Sequence, residues 1–277
     1  MRRYRVATIV CALSALAVGA LSAQRRPGGG FGQYFGGPDE MYQPPDFVGN
    51  VPYDGRFTFA RIRYKGFDHW AGREGPGWSH DYPDAEENFA KILRDITNVH
   101  PFVLQGPMVG SVLVAVDDPL LFKYPVSYMS EPGGWHPSEK EVAAFRSYLL
   151  KGGFMIFDDF REGWRGNDWT HLREIVRVAI PSAKWVQLTG GEPIFDSFFK
   201  IDLKLTINPT SAYGVNPPTY WGVYQDNDPK KRLMIIANVD NDIGESWQWS
   251  ASGFIPITSS NELYKLGINY IIYALTH

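Results

Sequence analysis

Residues 151–160 read Lys-Gly-Gly-Phe-Met-Ile-Phe-Asp-Asp-Phe, and this stretch decides the fold. Phe154–Phe157 is apolar at every position, so a strand there must be covered on both faces. That is the pattern of a central strand in a parallel sheet, not of a half-solvated antiparallel one. Gly152 and Gly153 end the preceding element as a left-handed helix cap requires. That element is a helix: Ser138-Glu-Lys-Glu141 is a capping box, and Val142, Phe145, Tyr148 and Leu149 follow at helical spacing. A capped helix running through two glycines into a buried strand is half of a βαβ unit. Two adjacent carboxylates, Asp158 and Asp159, close the strand.

The same alternation repeats on either side. Asp84 is placed as a helix cap ahead of Ala85, Phe89, Ile92, Leu93 and Ile96, and Asn167 or Asp168 ahead of Leu172, Ile175 and Val176. Ser259-Ser-Asn-Glu262 opens a last helix carrying Leu263, Leu266, Tyr270, Ile271 and Ala274. Between these lie strand-like runs at Phe57–Tyr64, Pro101–Leu104, Tyr124–Tyr128, Phe154–Phe157, Trp185–Leu188 and Leu233–Ala237. Strands alternating with helices predict a three-layer α/β sandwich with a mostly parallel, doubly wound sheet.

The N-terminus reads differently. MRRYR is a basic region, an apolar run follows to Leu21, and Ser22-Ala23 supplies small residues, the pattern of a secretory signal peptide spanning residues 1–23. The apolar run is short for a membrane span, which takes about 20 residues, so cleavage is expected and an uncleaved anchor is the alternative. Cys11 has Val10 before it, which does not fit a lipidation site. Cleavage would remove this only cysteine, and with it any disulfide, thiolate metal site or cysteine nucleophile. It would also remove Arg2, Arg3 and Arg5, taking the formal charge from −3 to −6. No basic stripe suggests nucleic acid. An exported, cysteine-free chain fits a periplasmic or extracellular location. Residues 24–52 are rich in Gly and Pro without apolar periodicity, a disordered linker. Residues 53–277 suit one domain.

In doubly wound folds ligands bind beyond the carboxyl ends of the strands, near the point where strand order reverses. The candidates at those ends are Asp158 and Asp159, Arg61, Arg63 and Tyr64 after the first strand, and Ser130 and Glu131 after the third. The loop after the first strand adds His69, Trp70, Trp78, His80 and Asp81. Asp158, Asp159, Asp81 and His80 are the candidates for catalysis, because paired carboxylates push their pKa values apart and leave one acid and one base. Arg63, Tyr64, Trp78 and Glu131 are the candidates for ligand binding. Each group also has a structural reading: the aspartates as turn caps, the tryptophans as packing, the arginines as internal partners of the acids. Asn238, Asp240 and Asp242 bring oxygens at alternate positions and are candidate ligands for a divalent metal. Gly244 falls one residue late for a helix-loop-helix calcium motif, which weighs against calcium.

No GxSxG, GxxxxGK[ST], HExxH or strand-borne GxGxxG occurs. The segments DYPDAEENF, YPVSYMSEPGGWHPSEKEV, YLLKGGFMIFDDF, EPIFDSFF, NVDNDIGE and LGINYIIYALT together resemble the bacterial domain of unknown function 4159, in order and over nearly all of residues 53–277. The resemblance implies a flavodoxin-like or class I glutamine amidotransferase-like fold. That superfamily keeps a nucleophilic cysteine at a sharp turn after a central strand, where this chain has Asp158-Asp159-Phe160, so amidotransferase chemistry is excluded by residue type. Members often carry a HPIFH-like segment, whereas this chain has Glu192-Pro-Ile-Phe-Asp196. The expected function is a non-catalytic, pseudoenzyme-like domain binding a polar ligand such as a glycan, or a cell-envelope protein. The alternative is a carboxylate- or metal-dependent hydrolase using Asp158 or Asp159.

Overall fold

A computed structural model describes residues 50–65, 76–102, 110–162, 168–210 and 216–277. Residues 1–49, where the sequence predicts a leader and most of a linker, lie outside the described residues, as do His69, Trp70 and Asn167. Seven strands form one sheet in the order β2-β1-β3-β4-β7-β6-β5. They are β1 (Phe59–Ile62), β2 (Ser111–Val114), β3 (Val126–Ser130), β4 (Phe154–Phe160), β5 (Trp185–Leu188), β6 (Thr219–Tyr224) and β7 (Leu233–Val239). From β2 through β7 the pairing is parallel, while β6 runs antiparallel to both of its neighbours. The chain moves outward from β1 to β2 and then returns to build from β3, so the order reverses between β1 and β3.

The helices are α1 (Asp84–Ile96), α2 (Glu139–Leu150), α3 (Asp168–Ala179), the short α4 (Ile243–Gln248) and α5 (Ile257–Thr276). They cover both faces. Met155 and Phe157 of β4 pack with Phe145 and Leu149 of α2 and Leu172 and Val176 of α3. Phe154 and Ile156 pack with Phe89 of α1, Trp247 of α4 and Leu263 and Tyr270 of α5. The unbroken apolar run of β4 follows from this double cover, and the three-layer α/β sandwich with a mostly parallel sheet is the observed architecture.

Several boundaries differ from the sequence reading. Of the expected run Pro101–Leu104, Pro101 makes an isolated bridge to Phe57, Val103 and Leu104 lie outside the described residues, and the next described strand is Ser111–Val114. Proline has no N–H to carry a ladder. The strand β6, TYWGVY, was not among the expected runs. A Cβ at its Gly222 would sit 2.5 Å from Leu233 Cδ1, so a side chain there would require Leu233 to shift. The capping box at Ser138 is present in full, and Gly152 takes φ 113°. By contrast, Asp84 is the first residue of α1 and not its cap, and α5 begins at Ile257, ahead of Ser259. The folded part also starts slightly earlier than Tyr53. Asn50 exchanges hydrogen bonds with the Leu113 backbone at 2.8 and 2.9 Å, and Val51 is buried. No helix among the described residues is long and apolar enough to cross a membrane.

Arg61 occupies an unusual position for a charge. It is wholly buried at the end of β1, its Nε donating to Glu86 Oε1 at 2.6 Å. Its Nη1 donates to the carbonyls of Trp78 and His80 at 3.2 and 3.0 Å, and the guanidinium lies 4.7 Å from the centroid of the Tyr128 ring. A buried ion pair of this kind survives by being hydrogen-bonded on several sides. Here those bonds pin the loop that carries the site.

Candidate metal centre

The parallel strands β1, β3, β4 and β7 end at one edge of the sheet. Each is followed there by a residue held at positive φ: Asp81 beyond β1 (64°), Glu131 after β3 (46°), Asp159 within β4 (58°) and Asp240 after β7 (59°). Non-glycine residues in this region cost roughly 1–3 kcal/mol each and persist where the surroundings over-determine them. At Asp159 the cause is visible. The β4–β7 register shifts between Phe157 and Phe160, and the bulge turns successive side chains in different directions.

The two adjacent acids therefore do different things. Asp158 turns inward and is wholly buried. Its Oδ2 accepts from Tyr128 Oη at 2.6 Å and from the backbone N–H groups of Ile243 and Gly244 at 2.9 and 3.2 Å; its Oδ1 accepts from Asn238 Nδ2 at 2.8 Å. Burial raises its pKa to about 6, against the opposing pull of the Tyr128 and Asn238 bonds. This carboxylate is engaged on every side in joining β3, β4, β7 and α4.

Asp159 turns to the edge of the sheet. Its Oδ2 lies 2.6 Å from His80 Nδ1 and accepts from Ser130 Oγ at 3.2 Å. Around this pair stand Asp81 and Asp242. One donor atom from each of His80, Asp81, Asp159 and Asp242 lies within 4.8 Å of all the others. The three carboxylates are buried and the imidazole is partly exposed. Asp81 is only 2% exposed, and neither of its carboxylate oxygens has a hydrogen-bond partner among the described residues. Asp242 caps α4 through Oδ1, which accepts from Glu245 N at 2.7 Å, and leaves Oδ2 buried without a partner. Burial, with the neighbouring Asp159 charge adding to it, raises the Asp81 carboxyl to about 8 despite the opposing His80. Burial, Asp159 and Asp81 raise Asp242 well above the carboxylate range.

The remaining sequence candidates fall into place around this cluster. Glu131 Oε1 lies 3.8 Å from His80 Nδ1, on the partly exposed rim. Tyr64 is buried, its hydroxyl donating to the carbonyls of Ser130 and Glu131 at 3.1 and 2.5 Å. Trp78 is 1% exposed, and its backbone carbonyl accepts from Arg61 Nη1. Arg63 is half-buried after β1, with its backbone N–H bonded to Val114. Of the alternate oxygens at 238–242, only Asp242 enters the cluster. Asn238 Oδ1 accepts from Tyr270 and Asp240 Oδ1 from the Glu162 N–H. Sequence reasoning had grouped Asp242 with its chain neighbours instead of with His80, Asp81 and Asp159; its position just past an apolar strand was the available signal.

These segments are also what a family model recognises: the domain of unknown function DUF4159 matches residues 58–275. The chain belongs to this family. Within the DUF4159 domain the match spans all seven strands and every residue of the cluster. A comparison with curated proteins gave no significant match.

Chemically, three buried carboxylates within reach of one another cannot all ionise at modest cost unless a cation is among them. The donor types are those of a divalent metal centre: an imidazole nitrogen and three carboxylate oxygens.

Proposed function

We propose that the DUF4159 domain is a divalent-metal-binding domain whose cation is held by His80, Asp81, Asp159 and Asp242. The observation that carries this reading is a pair of buried carboxylates in the cluster: Asp81, with neither oxygen hydrogen-bonded among the described residues, and Asp242, whose Oδ2 has no partner there while its Oδ1 caps α4. Leaving such oxygens unmatched is costly, and a cation is the partner that would satisfy all of them together. With its leader read as a secretory signal, the domain works outside the cytoplasm. There the cation serves as the coordination point for a polar ligand or an envelope partner.

A second reading is a metal-dependent hydrolase. It is favoured by the side-chain exposure of His80 and Glu131, 28% and 30%, which leaves the cluster approachable from solvent. In that reading a metal-bound water is the nucleophile. Asp159 acts as a ligand, and Asp158 holds structure.

Isothermal titration of the full chain, stripped with a chelator, against MnCl2 tests the metal-binding reading. One site per chain is expected, with Asp81→Asn and Asp242→Asn each weakening it by about 100-fold. Absence of saturable binding, or unchanged affinity in both variants, would sink the proposal. Gly244 provides a separate check. A Cβ there would lie 2.7 Å from both Asp81 Oδ2 and Tyr128 Oη, closer than real atoms approach. Gly244→Ala should therefore displace Asp81 and weaken Mn2+ binding by about 10-fold or more.

A further inference from the structure

We infer that the cation this centre takes is a transition-metal ion of the manganese, iron and zinc class, and that His80 is the residue that excludes calcium and magnesium. The inference rests on the metal-binding reading and adds to it the chemistry of the ion.

The donor set comes first. Calcium and magnesium are hard ions that take oxygen ligands, whereas imidazole nitrogen suits zinc and iron. His80 Nδ1 faces the carboxylates, 2.6 Å from Asp159 Oδ2 and 3.9 Å from Asp81 Oδ2, so a cation in this cluster meets nitrogen as well as oxygen. It would take the place of the proton that Nδ1 and Asp159 share. A soft cuprous ion would want thiolate, and the chain's single cysteine is Cys11, outside the domain.

Coordination number points the same way. Calcium gathers about six to eight oxygens. Three nearby side chains with oxygens are already held by internal partners: Asp158 by Tyr128, Asn238 and two backbone N–H groups, Asn238 Oδ1 by Tyr270, and Asp240 Oδ1 by the Glu162 N–H. Glu131 stands on the rim, its Oε1 3.8 Å from His80 Nδ1, outside the four-residue group. What remains is a compact set of four donor residues. Four protein donors are the ordinary complement of zinc, and four with added water suit manganese or ferrous iron.

Rigidity completes the argument. The His80 carbonyl is fixed from beneath by buried Arg61. Asp81 rests against Gly244, and Asp242 is tied to the first turn of α4 through Glu245 N. Donors anchored in this way do not splay readily to admit a larger ion with longer bonds.

Competition titrations of the chelator-stripped full chain with ZnCl2, MnCl2, CaCl2 and MgCl2 test the inference, alongside His80→Asp, which turns the site into an all-oxygen set. His80 is partly exposed, so folding of the variant is expected and is verified by circular dichroism. Zn2+ and Mn2+ should hold the site against about a 100-fold excess of Ca2+ or Mg2+. In His80→Asp, Zn2+ affinity should fall by about 10-fold or more while the discrimination against Mg2+ and Ca2+ narrows. Manganese-induced broadening of the His80 ring signals in the wild-type chain gives a readout independent of the variant. Calcium or magnesium binding as tightly as zinc overturns this inference and leaves the metal-binding reading standing, whereas a His80 ring untouched by bound manganese places the cation outside the cluster and overturns both. If none of the four cations binds, both fall.

Discussion

Asp158→Ala should cost the domain about 3–5 kcal/mol of stability, measured by urea denaturation of the metal-free chain. Removing this carboxylate strands four donors at once: the Tyr128 hydroxyl, the Asn238 amide and the N–H groups of Ile243 and Gly244. All are buried, and each donor left without an acceptor costs roughly 1–3 kcal/mol before any relaxation. The total is a large fraction of what a domain has to lose. Asp158→Asn should cost less, because an amide oxygen still accepts from part of the set. The neighbouring residue behaves differently. Asp159 sits at φ 58°, where glycine is at ease, and its carboxylate accepts from Ser130 and meets His80, so Asp159→Gly should cost less stability than Asp158→Ala while removing a proposed metal ligand. If Asp158→Ala unfolds no more easily than Asp159→Gly, the division of labour between the two acids is wrong.

That division explains where the sequence was readable. Phe154–Phe157 announced a doubly covered strand because burial on two faces leaves no room for a polar residue, and Ser138-Glu-Lys-Glu141 announced a helix start because its chemistry is local. The strand β6 was missed because its glycine makes sense only across the sheet, where the Leu233 side chain of β7 fills the space beside it. The acids at 158 and 159 were legible as a pair at a strand end. Their opposite orientations come from a register shift against β7, which depends on a strand some 80 residues away. Asp242 joined His80, Asp81 and Asp159 for the same reason. Strand order, not chain spacing, puts these residues at one edge, and no local pattern encodes strand order. The buried Arg61 was expected near a strand end as a misplaced charge; its partner Glu86 lies on α1 and could be paired with it only in three dimensions.

The metal-free domain should lose stability as pH rises, which is the reverse of ordinary acid denaturation. Asp81 holds its proton more tightly in the folded state, with a pKa of about 8 against an ordinary carboxyl value of 3.8. Below about pH 4 the folded and unfolded chains both carry that proton, so the group makes no difference to stability. Between about 4 and 8 the unfolded chain releases it first, and each pH unit removes up to about 1.4 kcal/mol of folding stability. Above about 8 both states are ionised and the loss is complete. Asp158, raised to about 6, acts with the same sign over the lower part of that window, and Asp242 with the same sign over a range that extends upward. Calorimetric melting of the chelated chain should therefore fall by roughly 5 °C or more between pH 5 and pH 8, taking about 2–4 °C per kcal/mol for a domain of this size. Asp81→Asn should flatten the slope and raise the melting temperature at pH 8. Saturating Mn2+ should cancel the loss, and more strongly at pH 8 than at pH 5, because at the lower pH the cation must first displace protons. A melting temperature indifferent to pH in the chelated chain, with Asp81→Asn melting no higher at pH 8, would mean that the buried carboxylates carry no net strain and have no need of a cation.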